Sequence, residues 1–139
     1  MPVLVDSNVI LDVVTKDPIW RDWSRQTLRR TAAEATLVIN ALVYAEVSAG
    51  LSSIEAVEDA IPEESFRREE LPYEAAFLAG KAFVEYRRRG GERRSPLADF
   101  FIGAHAAVAG FRVLTRDPAR FRSYFPMVEL IAPTRENAG

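Results

Sequence analysis

The sequence predicts an α/β fold with a mostly parallel central sheet of about five strands. Three observations lead there. Short apolar runs recur along the chain: Val3-Leu4-Val5, Leu37-Val38-Ile39, Phe111 to Leu114 and Val128 to Ile131. The first two are continuous rather than alternating, which suits strands buried on both faces. The segments between the runs carry helical periodicity with their own start and stop signals.

Taken in order, Val3 to Val5 opens the sheet and Val9 to Val14 starts a short helix. Asp17-Pro18 reads as an N-cap acid followed by proline at the first helical position. Trp20, Trp23, Thr27, Leu28 and Thr31 then define an inward face, beside an Arg21/Arg25/Arg29 stripe. Leu37 to Ile39 is the second strand. Asn40 caps a helix over Ala41 to Ala49, and Gly50 ends it. Ser52-x-x-Glu55 has the capping-box pattern and opens a short helix that stops before Pro62. Phe66 to Leu71 reads as a polar third strand near an edge. Pro72 starts the longest helix, with Tyr73, Ala76, Phe77, Gly80, Phe83 and Val84 on one face. Gly90 to Arg94 is a small, basic loop, and Ser95-Pro96 caps an apolar helix that runs to about Ala109 and ends at Gly110. Phe111 to Leu114 is the fourth strand, Thr115-Arg116-Asp117-Pro118 a turn, and Val128 to Ile131 the fifth strand.

A chain of 139 residues, 48% hydrophobic and 27% charged, suits one globular domain. We place that domain at residues 1–133, with 134–139 as a frayed tail. The absence of Cys excludes disulfides, Cys-ligated zinc and thiol catalysis, and a single His excludes a His-rich metal site within one chain. No apolar run approaches the roughly 20 residues of a membrane span, and the N-terminus lacks a signal-peptide pattern, so a cytoplasmic protein is expected. The formal net charge is −2, but arginines cluster at Arg87-Arg88-Arg89 and Arg93-Arg94. Such clusters fit either a solvated surface or a surface for RNA or an acidic partner.

Four acids stand where acids are costly. Asp6 ends a buried strand, Glu46 is the only charge in Ala41 to Val47, Asp99 lies alone in Leu97 to Gly103, and Asp117 follows the fourth strand after Thr115. Each has a structural reading: Asp6 or Asp117 as a helix cap, Asp99 as a first-turn acid, Glu46 as the partner of a buried Arg. Together they point to carboxylates meeting at the C-terminal ends of the strands, where α/β folds bind ligands. Such a cluster repels itself unless a cation sits in it, and an oxygen-only donor set suits Mg²⁺ or Mn²⁺. Gly50 and Gly103, one turn after Glu46 and Asp99, would leave room beside the acids. Ser7, Asn8 and Thr115 offer hydroxyls and an amide as supports.

Asp6-Ser7-Asn8-Val9, Glu46 on the helix after the second strand, Asp99 within Ser95 to Ala106, and Leu114-Thr115-Arg116-Asp117 together resemble a PIN domain. The length and order are similar to the VapC-type toxins of toxin–antitoxin pairs. The resemblance implies a three-layer α/β/α sandwich and an Mg²⁺- or Mn²⁺-dependent endoribonuclease that cleaves RNA with metal-activated water. Asp6, Glu46, Asp99 and Asp117 would form its acidic site, Asp6 and Asp99 being the surest ligands, with Asn8 and Thr115 in supporting positions. It also implies a VapB-type antitoxin partner and a homodimer, for either of which apolar surface near Trp20 and Trp23 is a candidate. Arg87, Arg88 and Arg89 are candidates for steering RNA. His105 matches no catalytic position of the family and reads as a core residue. Two other classes compete. One is a phosphohydrolase with Asp6 as aspartyl nucleophile, although Asn8 stands where such sites carry a second Asp. The other is a non-catalytic module whose acids grip a partner's arginines.

Overall fold

Parallel pairing sets the architecture. The computed structural model describes residues 1–91 and 97–134. Its strands are β1 (Val3–Val5), β2 (Leu37–Ile39), β3 (Arg67–Arg68), β4 (Arg112–Leu114) and β5 (Leu130–Ile131). They form one sheet in the order β3-β2-β1-β4-β5, every neighbouring pair parallel. β1 is central, and Val3, Leu4 and Val5 are fully buried, as the continuous apolar run requires. The helices are α1 (Ser7–Val14), α2 (Arg21–Glu34), α3 (Ala41–Ala49), α4 (Ile54–Ala60), α5 (Tyr73–Arg88), α6 (Leu97–Ala109) and α7 (Ala119–Tyr124).

The strand order fixes where the helices go. The chain steps from β1 outward to β2 and β3, then returns across the sheet to β4 and β5. Right-handed crossovers therefore put α1 to α4 on one face and α5 to α7 on the other, giving three layers. Packing of α1 on α2 and α3, and of α6 on α5 and α7, agrees with this. No helix among the described residues is long and apolar enough to cross a membrane.

Several local expectations need correction. Asp17-Pro18 makes a turn ahead of α2 rather than its first turn: Asp17 Oδ1 accepts the N–H groups of Ile19 and Trp20 at 2.9 and 2.8 Å. The inward face of α2 is Ser24, Thr27 and Thr31, with Trp23 and Leu28 packed at its margin and Trp20 half-exposed. The cap of α4 is Ser53, whose hydroxyl accepts from Ala56 N–H at 3.1 Å, not Ser52. β3 is only two residues long and exposed, so the third strand is an edge strand shorter than Phe66 to Leu71. The fifth strand likewise shortens to Leu130–Ile131.

The largest correction concerns α5. Tyr73 and Phe77 are 92% and 68% exposed, and Val84 and Gly80 also face outward. Of the stripe expected inside, Phe83 packs on the core, while Ala75 and Ala79 take the buried positions. The helix is apolar on more than one side, so periodicity alone could not choose the stripe. The alanines allow the close approach that α6 needs, and Phe100 of α6 fills the space, edge-on to Phe83 and Tyr86 at 5.8 and 5.4 Å. Tyr124 and Phe125 complete this aromatic cluster at 5.4 and 6.4 Å from Phe100. The Ser95-Pro96 cap, Arg93-Arg94 and nearly all of the proposed tail lie outside the described residues.

Because Phe100 is fully buried and touches every member of that cluster, Phe100→Ala should cost about 3–5 kcal/mol in urea unfolding. A loss below about 1 kcal/mol would show that α6 is not held by this cluster.

Candidate active site

Asp6 follows β1 directly, and the sheet holds it in place. Its N–H donates to the carbonyl of Leu114 at the end of β4, at 2.9 Å. It occupies the N-cap position of α1 with extended backbone, yet its side chain makes no capping hydrogen bond. The carboxylate is instead turned towards β4, where Oδ2 accepts the Thr115 hydroxyl at 2.9 Å. Thr115 is fully buried, and its Oγ1 also receives Asp117 N–H at 3.0 Å and Asn8 Nδ2 at 3.4 Å. Asn8 Oδ1 in turn accepts Arg116 N–H at 3.4 Å. The ends of β1 and β4 are thus tied by a polar network that runs through Asn8 and Thr115, both anticipated as supports.

Glu46 arrives on α3, which Asn40 caps by accepting Val43 N–H at 3.0 Å. Ser7 donates its hydroxyl to Glu46 Oε1 at 3.0 Å. This hydroxyl takes the place of the buried Arg that was one candidate partner for Glu46, and it gives Ser7 the supporting role its hydroxyl offered. Asp99 comes from the first turn of α6 on the opposite side of the sheet, and its Oδ2 pairs with Arg120 Nη1 at 2.9 Å. Asp117 stands apart: its side chain is 74% exposed and lies 3.6 Å from Arg116 Nη1.

The acids sense one another. Burial, then the charge of Asp99 and that of Glu46, push the Asp6 carboxyl up to about 7, although the Thr115 hydroxyl opposes the rise. Glu46 is raised by burial and by Asp99, against the Ser7 hydrogen bond. Asp99 is raised by burial and by Asp117, against Arg120. Asp6, Glu46 and Asp99 therefore share one field, and Asp117 reaches it through Asp99. Among the described residues, no three such side chains already stand in an ion's coordination shell. The donors are nonetheless all oxygen, and their mutual repulsion is what a divalent cation relieves, so the residues present fit Mg²⁺ or Mn²⁺.

The glycines have another explanation than room for an ion. A Cβ on Gly103 would run into the Phe125 ring, and one on Gly50 would meet Leu11 Cδ2 at 2.6 Å. Both are packing glycines. His105 is buried with Nδ1 3.1 Å from Asn40 Nδ2, and burial lowers its pKa, so it is a neutral core residue bracing the α3 cap. Arg87 and Arg88 are exposed in the last turn of α5, while Arg89 pairs with Glu85 at 3.2 Å and lies over Tyr124.

Three residues beside the site were not singled out from sequence. Asp12 is 3% exposed on α1, accepts Ser24 Oγ at 2.7 Å and holds Arg116 Nε through both oxygens at 3.0 and 2.8 Å. Arg116 so anchored, with its guanidinium over Trp20, fixes the turn that carries Thr115 and Asp117. Arg120 is the third. Asp12 had one available signal, an acid at an inward position of an apolar helix; nothing in the spacing marks the arginines.

The PIN domain profile matches residues 3–124. The chain belongs to the PIN domain family. A search of curated proteins finds no match. Solved structures show the same fold at low identity. VapBC2 from Rickettsia felis, in complex with a DNA fragment from its promoter, superposes with TM-score 0.72 at 20% identity, covering 95% of this chain and 98% of that one. FitAcB from Neisseria gonorrhoeae gives 0.69 at 21%, covering 93% and 96%. VapC20 of Mycobacterium tuberculosis, described as a Sarcin-Ricin loop cleaving toxin, gives 0.56 at 15%, covering 98% and 92%.

The Asp6 pKa has a consequence for stability in this PIN domain. The folded value of about 7 lies above the ordinary 3.8, so the folded state binds this proton more tightly. That contribution is complete below the unfolded value and disappears as pH rises through the folded one. Glu46 and Asp99 act in the same direction. Without divalent cations, the protein should melt at a higher temperature at about pH 6 than at about pH 8, and Asp6→Asn should remove most of the difference. An unaltered pH dependence in a folded Asp6→Asn variant would contradict the assignment.

Proposed function

We propose that this PIN-domain protein is a divalent-metal-dependent endoribonuclease and the toxin of a VapBC-type toxin–antitoxin pair. The observation that carries the reading is the shared field of Asp6, Glu46 and Asp99, brought by β1, α3 and α6 to one end of the sheet. Asp6, Glu46, Asp99 and Asp117 would hold Mg²⁺ or Mn²⁺, with Asp6 and Asp99 as the principal ligands. When bound, such an ion lowers the pKa of a water and neutralises charge on a phosphoryl oxygen. The chain's own residues supply orientation. Thr115 holds the Asp6 carboxylate, Ser7 holds Glu46, and Asn8 ties both strand ends together. Burial of Asp6 at 4% exposure keeps bulk water from screening the cluster.

RNA as substrate is supported by the family and by the description of VapC20 as a Sarcin-Ricin loop cleaving toxin. An antitoxin partner is supported by the many structural relatives that are toxin–antitoxin complexes, among them those from Haemophilus influenzae and Klebsiella pneumoniae. The pair would act in the cytoplasm, with the toxin as a homodimer. Arg87, Arg88 and Arg89 end α5 beside α7, the helix that carries Arg120 to Asp99, so they border the acidic end and could steer an RNA backbone to it.

An aspartyl-nucleophile mechanism gains no support from the geometry, since the Asp6 carboxylate is buried and hydrogen-bonded. A guanidinium-gripping role does have an observation behind it, the Arg120–Asp99 pair, and is compatible with inhibition by a partner's arginine.

Asp99→Asn should abolish Mn²⁺-stimulated RNA cleavage, with at least about a hundredfold loss, while retaining the circular dichroism of the parent. Expressed alone, it should not arrest growth. Full cleavage by the folded variant would sink the proposal.

A further inference from the structure

Two arginines meet acids near the site, and they do so in different ways. Arg116 Nε contacts both oxygens of Asp12, a carboxylate 3% exposed. That is a closed structural pair. Arg120 makes one contact, Nη1 to Asp99 Oδ2 at 2.9 Å, with side chains 28% and 26% exposed. Its guanidinium rests on aromatic rings, 5.3 Å from the Tyr86 centroid and 5.7 Å from that of Phe100. This aromatic bed is independent of Asp99 and keeps a place for the guanidinium when the acid is otherwise engaged.

The position of the contact matters. Asp99 is the acid whose charge reaches both Asp6 and Glu46. Arg120 therefore places a positive charge at the carboxylate that links the cluster, where the proposed divalent cation would also bind. A single contact between side chains about a quarter exposed is easier to exchange than the two-oxygen pair that Arg116 makes with the buried Asp12.

We propose that Arg120 is an internal stand-in for the cation: its guanidinium occupies Asp99 in the ion-free protein and gives up that contact when a divalent ion binds, while the Tyr86–Phe100 bed on which it already lies retains it. The inference rests on the metal-site reading above. Arg120 holds the acids together before the ion arrives, and it makes the ion compete for its ligand. If Asp99 is paired with Arg120 most of the time, the apparent ion affinity falls by the fraction left free.

The test measures ion binding without RNA or turnover. Isothermal titration with MnCl₂ would compare the parent, Arg120→Met, Arg122→Met and Asp99→Asn. Met keeps an apolar stem against Tyr86 and Phe100, and Arg122, exposed on the same helix, controls for the loss of one positive charge. Arg120→Met should bind Mn²⁺ about tenfold more tightly than the parent, and Arg122→Met within about twofold of it. Equal affinity for Arg120→Met and the parent, or an equal gain in both arginine variants, would overturn the exchange. In either case the loss of binding in Asp99→Asn would leave the metal site standing. If neither the parent nor Arg120→Met binds Mn²⁺, or Asp99→Asn binds as well as the parent, the metal site fails and the exchange fails with it. A measurement on the unaltered protein covers poor folding of the variants: Mg²⁺ titration followed at the Arg120 side-chain ¹⁵Nε signal. A shift that saturates with ion binding supports displacement, and an unmoved signal overturns it.

Discussion

The structure depends on one electrostatic constraint: Asp6 is a nearly buried carboxylate at the end of the central strand, with two further acids in its field. An isolated buried charge is too costly to keep, so its surroundings must compensate it. The compensation is local and specific. A hydroxyl of Thr115 faces Asp6, a hydroxyl of Ser7 faces Glu46, and a guanidinium faces Asp99. None is strong enough to offset the burial of Asp6 and the repulsion of its neighbours, which is why the Asp6 carboxyl remains near 7. That unrelieved strain is what supports the proposed cation site.

The fold makes that concentration possible. β1 lies at the middle of a fully parallel sheet, so its C-terminal end opens into the crevice between helices from both faces. α3 approaches with Glu46 from one side and α6 with Asp99 from the other. The helix carrying Asp99 is held by the Phe83–Tyr86–Phe100–Tyr124–Phe125 cluster, so the apolar core and the acidic site share a wall. Phe100 and Tyr86 also form the bed of Arg120. On the other side of the strand ends, Asp12, Ser24, Arg116 and Trp20 clamp the β4–α7 turn to α1 and α2. Rigid packing thus sets the positions of groups whose charges would otherwise drive them apart.

Much of this was legible in the chain. Continuous apolar runs marked the inner strands because strands covered on both faces have no polar side. The four acids stood out because Glu46 and Asp99 interrupt apolar helical segments and Asp6 and Asp117 follow the ends of apolar strands. Other features were not legible, for identifiable reasons. The outward stripe of α5 is as apolar as the buried one, so periodicity could not choose between them. Gly103 sits one turn from Asp99, but whether its space holds an ion or a ring depends on Phe125, far along the chain. Arg116 and Arg120 look like ordinary surface arginines until Asp12 and Asp99 are placed beside them.

The sequence by itself therefore determined the fold class, the order of the strands along the chain, and which acids and supporting polar groups to examine. Those properties follow from local composition and spacing. Only the tertiary structure decided which acids share a field, that Asp117 stands at its exposed margin, and which arginine braces the scaffold and which one faces the site. Charge–charge energies depend on distance through space and on burial, and both are set by how the helices close over the sheet.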